Sequence, residues 1–133
     1  MARMYPRTLR EDWVKSKAEV KVHALLRDGL DDEWEVFHSA GWIERDPAEG
    51  AEDGEIDFVL CHPDEGIVCL EVKGGGIECQ YGEWFRLVDG QRESMRDPFA
   101  QALDHRYDLE RKIAKLDGWK EHNLFIAHAL AFP

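Results

Sequence analysis

Basic residues are scarce in this chain: 17 Lys and Arg stand against 28 Asp and Glu, for a net charge of −11. Such a surface repels a polyanion, so a protein that holds nucleic acid by bulk electrostatics alone is excluded, and any such contact must be local or belong to a partner. Cysteine is sparse as well. Cys61, Cys69 and Cys79 are odd in number and lack CxxC spacing, which argues against a disulfide framework. No apolar h-region follows Met1, and no apolar run approaches the ~20 residues of a membrane span. A soluble protein in a reducing cytoplasm is the expectation. There is no internal repeat, low-complexity tract or linker, and 133 residues suit a single domain with its own core. HExxH and GxSxG are missing, which leaves a zincin or a serine hydrolase without support.

What is present organises into alternating helical and strand patterns. From about Leu9 to Leu30 the apolar residues Val14, Ala18, Val22 and Leu25 recur at helical spacing, and Gly29 offers a stop. Trp34 to Ile43 is rich in aromatic and β-branched residues and predicts a strand, followed by an acidic exposed loop over Glu44–Asp53. Two further strands flank His62-Pro63-Asp64-Glu65-Gly66, a hairpin turn in which Pro fixes φ and Gly supplies a positive one. GEWFRLVDGQR predicts another strand that closes on Asp89-Gly90. Asp97-Pro98 is an N-cap with Pro at the first helical position, and Phe99, Leu103, Leu109, Ile113 and Leu116 carry a second helix to Asp117-Gly118. Asn123–Phe132 predicts a last strand. The expected order is αβββαβ, an α/β fold with a mixed central sheet flanked by helices. A chain that starts at Met1 and stops directly after a strand, at Pro133, is expected to be the N-terminal domain of a longer protein.

The hairpin GEIDFVLCHPDEGIVCLEVKGG carries charges where a central strand should not. Alternation sends Ile56, Phe58, Leu60, Val68, Leu70 and Val72 to one face and Asp57, Val59, Cys61, Ile67, Cys69, Glu71 and Lys73 to the other. Three ionisable groups therefore share one face near one end of the hairpin, where an unpaired charge costs several kcal/mol. Two carboxylates at that separation are oxygen ligands for a hard divalent cation, and a lysine beside them can neutralise an anionic transition state. The other reading is a strand-end salt bridge from Lys73 to Asp57 or Glu71. Glu19 lies three residues before Val22 and seven before Leu26, on or beside the helix face that packs on the sheet, so it either joins these carboxylates or stays solvated at the edge of the stripe. His23, one turn later, is read as a helix-surface histidine. Gly74-Gly75-Gly76 lacks the GK[ST] of a phosphate loop and reads as a bend or a close backbone approach, and the cysteines read as core thiols in preference to zinc ligands.

Gly54-Glu55-Ile56-Asp57, the stretch from Gly66 through Glu71-Val72-Lys73 to Gly75, the leading helix with Glu19, and DPFAQALDHRYDLERKI together resemble the nuclease-related domain (NERD), a branch of the PD-(D/E)xK nucleases. The resemblance covers nearly the whole chain and implies a restriction-endonuclease-like core that cleaves DNA with Mg²⁺, for which Mn²⁺ can substitute, often alongside a helicase or other nucleic-acid module. It implies Asp57 and Glu71 as metal ligands, Lys73 as the group that orients water or stabilises charge, and Glu19 as the acid of the first helix. Gln101 resembles the glutamine that many members place near the site. The expected ion lies between Asp57, Glu71 and the backbone carbonyl of Val72, with Glu19 reached directly or through water. The acidic surface keeps a second class open, a nuclease fold used as a nucleic-acid-binding or docking module.

Overall fold

The computed structural model describes residues 1–12, 14, 16–41, 55–116 and 124–133. The acidic run 44–53, the expected helix stop at 117–118 and the start of the expected last strand at 123 lie outside the described residues. In chain order the elements are β1 (Arg3–Tyr5), α1 (Lys17–Gly29), β2 (Glu35–Gly41), β3 (Glu55–His62), β4 (Gly66–Val72), β5 (Gly76–Gln80), β6 (Glu83–Val88), β7 (Gln91–Met95), α2 (Pro98–Ala114) and β8 (Ile126–Ala131).

β3 and β4 are apolar on both faces because both are central. They sit inside a five-stranded sheet of order β1-β2-β3-β4-β8, in which β2 with β3 and β3 with β4 pair antiparallel, and β1 with β2 and β4 with β8 pair parallel. The expected αβββαβ order survives as α1-β2-β3-β4-α2-β8 in this restriction-endonuclease-like α/β core, and the GEWFRLVDGQR strand, which that order left uncounted, lies outside the core sheet. On one face Val22 of α1 packs with Met4, Val36, Phe58, Leu60 and Val72, joined by Ala18 and Leu26. On the other, Leu109 and Ile113 of α2 pack with Val59, Cys69, Cys61 and Ile67. Fully buried side chains such as Phe58 and Val36 each contribute about 1.5–3 kcal/mol. Ile56 departs from strict alternation: it joins the α2-side cluster, at a point where the ladder from β3 to β4 has already ended at Phe58–Leu70.

Two further differences concern boundaries. The first helix begins at Lys17 instead of near Leu9, because Ser16 is extended (φ −123°, ψ 119°) and Val14 precedes the helix. The segment expected as one strand is the middle of a separate three-stranded sheet, β5-β6-β7, whose last hairpin turns at Asp89 and Gly90, both with positive φ. α2 starts as expected, with the Asp97 carboxylate accepting from the Phe99 N–H at 2.9 Å. Among the described residues no helix is long and apolar enough to cross a membrane.

Candidate functional site

The backbone ladder between β3 and β4 opens at the C-terminal end of β4, and it opens at the charged residues. Beyond the Phe58–Leu70 pair the Val72 N–H turns to a side chain: it donates to Asp57 Oδ2 at 2.9 Å. Lys73 N–H donates instead to the Ala131 carbonyl of β8 at 3.0 Å. Two strands that part in this way leave a cleft between their ends. It measures about 600 Å³, and its lining includes Glu19, Asp57, Glu71, Val72, Lys73 and Gln101. Every residue singled out as a site candidate in the sequence therefore borders one cavity.

Glu19 reaches it because α1 comes unusually close. A Cβ on Gly74 would lie 2.6 Å from the Ala18 Cβ, a distance that real Cβ atoms do not adopt, so only glycine lets the first turn of α1 approach the chain after β4. Gly75 follows with φ +80° and turns the chain away. The glycine run is thus a close approach followed by a bend. Ser16-x-x-Glu19 has the form of a capping box, but Ser16 makes no side-chain cap bond, and Glu19 Oε2 accepts from His38 Nε2 at 2.6 Å. The helix forgoes about 1 kcal/mol of capping, and its acid is turned toward the cleft.

Each of the three central carboxylates has one oxygen bonded to a protein donor. Asp57 Oδ2 takes Val72 N–H, Glu19 Oε2 takes His38 Nε2, and Glu71 Oε2 takes His105 Nδ1 at 3.0 Å. The neighbour of the other Glu71 oxygen is Lys73 Nζ, 3.9 Å from Oε1, beyond hydrogen-bond range. The salt-bridge reading of Lys73 is thereby reduced to a loose contact. Glu71 is only 4% exposed and the Lys73 side chain 13%. Arg86, from β6 of the second sheet, and Lys17, at the start of α1, add cations to the lining, yet carboxylates outnumber Lys and Arg there four to three, with Glu55 the fourth.

The electrostatic cost of this arrangement falls on Asp57. Burial first, and then the Glu71 charge, push its carboxyl up to about 7 against the pull of the Val72 N–H. The hydrogen bond to Glu71 raises the His105 imidazole above its usual value. A set of inward-facing carboxylate oxygens, one of them reluctant to ionise, could hold a hard divalent cation, which would remove the repulsion. These carboxylates stand apart from one another. Among the described residues only Asp31, Glu33 and His62 bring three potential ligand atoms within 4.8 Å of one another.

That second group, at the far end of the hairpin, is not built as a ligand set. His62 Nδ1 accepts the backbone N–H of Asp64 and of Glu65, each at 3.1 Å, so the ring proton sits on Nε2, facing Glu33 Oε2 at 3.3 Å. His62 is a donor there and has no lone pair to offer. The thiols give no centre either: Cys69 is buried in the α2-side core, Cys61 packs against it, and burial pushes the Cys69 thiol well up. His23 is not at the helix surface as expected. It is buried, with its ring 6.5 Å from that of Phe58, and is bonded through Nε2 to the Pro6 carbonyl at 3.0 Å, so the segment before α1 covers it.

Sequence reasoning overlooked His38, His105 and Arg86. A local signal existed for the first two. His105 follows Gln101 by one helical turn, and His38 shares strand parity with the core residue Val36, which directs it toward α1 and Glu19. Arg86 had none, since it arrives on a sheet whose docking no local pattern encodes.

No curated protein and no solved structure matches the chain. The family model of the nuclease-related domain (NERD) matches residues 15–133, from just before α1 to the last residue. The match takes in both helices, the D…ExK hairpin and the cleft they enclose, and the chain belongs to the NERD family.

Proposed function

We propose that this domain is a divalent-metal-dependent nuclease that hydrolyses phosphodiester bonds of DNA with Mg²⁺, Mn²⁺ serving as a substitute, and that Asp57, Glu71, Lys73, Glu19 and Gln101 form its active site. The observation that carries the reading is the convergence of Asp57, Glu71, Lys73 and Glu19 on one cleft in which burial and the Glu71 charge hold Asp57 up to about 7. A structural ion-pair network offsets its charges. This one gathers more carboxylates than Lys and Arg, one of them reluctant to ionise, in a cavity open to solvent.

The donor set consists of carboxylate oxygens and the Val72 backbone carbonyl, which fits Mg²⁺ or Mn²⁺ and not a thiolate-seeking metal. When bound, such a cation lowers the pKa of water and offsets charge on the scissile phosphate. Asp57, Glu71 and the Val72 carbonyl would hold it, with Glu19 reaching it directly or through water. The Lys73 ammonium, too far from Glu71 to donate to it, keeps its protons for the attacking water or the phosphate oxygens. Gln101, on the first turns of α2, can hold a water or a phosphate oxygen with its amide. Arg86 and Lys17 at the rim offset neighbouring phosphates, which a surface of net −11 needs if DNA is to approach at all. A helicase-type module in the same chain or complex would supply the remaining affinity by raising the local substrate concentration. Three free thiols suit a reducing cytoplasm.

The net charge favours a second reading, a docking module that keeps the fold without turnover. The deciding experiment combines calorimetric titration of Mn²⁺ with a gel assay on single- and double-stranded DNA at two salt concentrations. Cation binding and slow, metal-dependent cutting that are both lost in Asp57→Asn are expected. A wild-type chain that binds no cation overturns the proposal, and tight DNA binding in chelator without cutting selects the docking module.

A further inference from the structure

Glu19 and Glu71 enter the cleft from different elements, α1 and β4, and each is met by a histidine from a further one. His38, on β2, is 6% exposed and packs its ring on Phe58, centroids 4.9 Å apart, while its Nε2 bonds Glu19 Oε2 at 2.6 Å. His105, on α2, is 13% exposed and bonds Glu71 Oε2 through Nδ1 at 3.0 Å. With the Val72 N–H on Asp57 Oδ2, each of the three carboxylates has one oxygen tied to a fixed donor. A carboxylate tied at one oxygen is restrained from rotating, and the tied oxygen has a lone pair already engaged, which disfavours chelation with both. It presents a single oxygen in a set direction.

We infer that His38 and His105 are positioning residues which hold Glu19 and Glu71 so that each offers one oxygen to the cleft. Metal sites commonly use a carboxylate to orient a ligating histidine, and here the roles are exchanged. One-oxygen ligands leave part of a six-coordinate sphere for water and substrate, and they suit an ion that keeps some of its waters better than one that seeks eight oxygens from the protein. The inference rests on the cleft being a cation site, as proposed above, and concerns what shapes it.

The two bonds use different ring nitrogens, which gives the test a crossed form. The amide nitrogen of Asn occupies the position of a histidine Nδ1, and that of Gln the position of Nε2. In the intact chain His105→Ala and His38→Ala are expected to weaken Mn²⁺ binding about tenfold each, measured calorimetrically. His105→Asn should restore affinity where His105→Gln does not, and His38→Gln should restore it where His38→Asn does not. A packing role predicts no such crossing, so equal behaviour of Asn and Gln at either position overturns the inference. Should a variant fail to fold, imidazole ¹⁵N shifts of the wild-type chain at alkaline pH decide: the Nδ1–H tautomer for His105 and Nε2–H for His38 support the inference, and the reverse for either one overturns it. Wild-type Mn²⁺ binding with unaltered affinity in both alanine variants defeats this inference alone. Absence of wild-type binding defeats the cation site and the inference together.

Discussion

Asp57 Oδ2 accepts the N–H of Val72 at 2.9 Å, so the residue that ends β4 is bonded to a side chain of β3 where a sheet would bond it to backbone. That bond favours the ionised carboxylate, but burial and the Glu71 charge outweigh it and raise the carboxyl from 3.8 to about 7. Folded Asp57 therefore keeps a proton that the unfolded chain releases near pH 4. The folded state binds more protons across that window, so metal-free stability falls as pH rises from about 4 to about 7, by at most about 1.4 kcal/mol per pH unit. The His105 imidazole, held above its usual value by Glu71, adds a loss of the same sign as pH rises through its own folded value. Thermal melts in chelator below about pH 6.5, where His105 contributes little, should show the fall in wild type and a flat profile in Asp57→Asn. An unchanged slope in the variant would assign the proton elsewhere.

Cation binding should carry the opposite pH dependence. A proton on Asp57 competes with the ion, so Mn²⁺ should raise the melting temperature more at about pH 8 than at about pH 5.5. At a hundredfold excess over Kd the gain is about 2.7 kcal/mol, several degrees for a chain of this size. Differential scanning fluorimetry at the two pH values reads it. A shift independent of pH would place the ion away from Asp57.

Lys73→Ala should separate binding from turnover. Its ammonium stands 3.9 Å from Glu71 Oε1 and contributes little to holding that carboxylate. Unchanged Mn²⁺ affinity with cleavage lowered about 10²–10³-fold is the expected pair. Loss of affinity along with cleavage would make Lys73 a structural partner of the carboxylates.

Gly74→Ala tests the approach of α1. The added methyl would lie 2.6 Å from the Ala18 Cβ, which forces the first turn of α1 outward and Glu19 with it. A loss of about 1–3 kcal/mol in thermal stability is expected, with weaker Mn²⁺ binding. Ala18→Gly in the same chain should recover part of both, less the cost of glycine in a helix. A second substitution without effect would mean that the crowding lies elsewhere.

The hairpin was legible because alternation is local: Asp57, Glu71 and Lys73 could be assigned to one face by counting, and the turn and the Asp97 cap by residue type. Errors arose where local and distant forces differ. Val14 fits the helical stripe, yet Ser16 is extended and the helix starts at Lys17, against Gly74. His23 was assigned to the surface because helical spacing does not reveal that Pro6, from the segment before the helix, bonds its ring. His38 and His105 had suitable positions but no visible partners, since each bonds a carboxylate from another element. The second sheet was read as one strand because short exposed strands such as Gly76–Gln80 lack a buried face to mark them.

That second sheet leaves the core just after Gly75 and returns to it just before Asp97. Its inner anchor is Trp84, whose ring lies 5.8 Å from that of Phe99 and 6.3 Å from that of Phe132. The cleft receives Arg86 from it and none of the carboxylates. The domain thus divides the cleft by topology: its central carboxylates, Lys73 and Gln101 come from the main sheet and the two helices, whereas Arg86 comes from a detour that can be lengthened, shortened or recharged on its own. On the proposed reading, descendants of this sequence could change what meets the cleft at Arg86 while keeping its carboxylates.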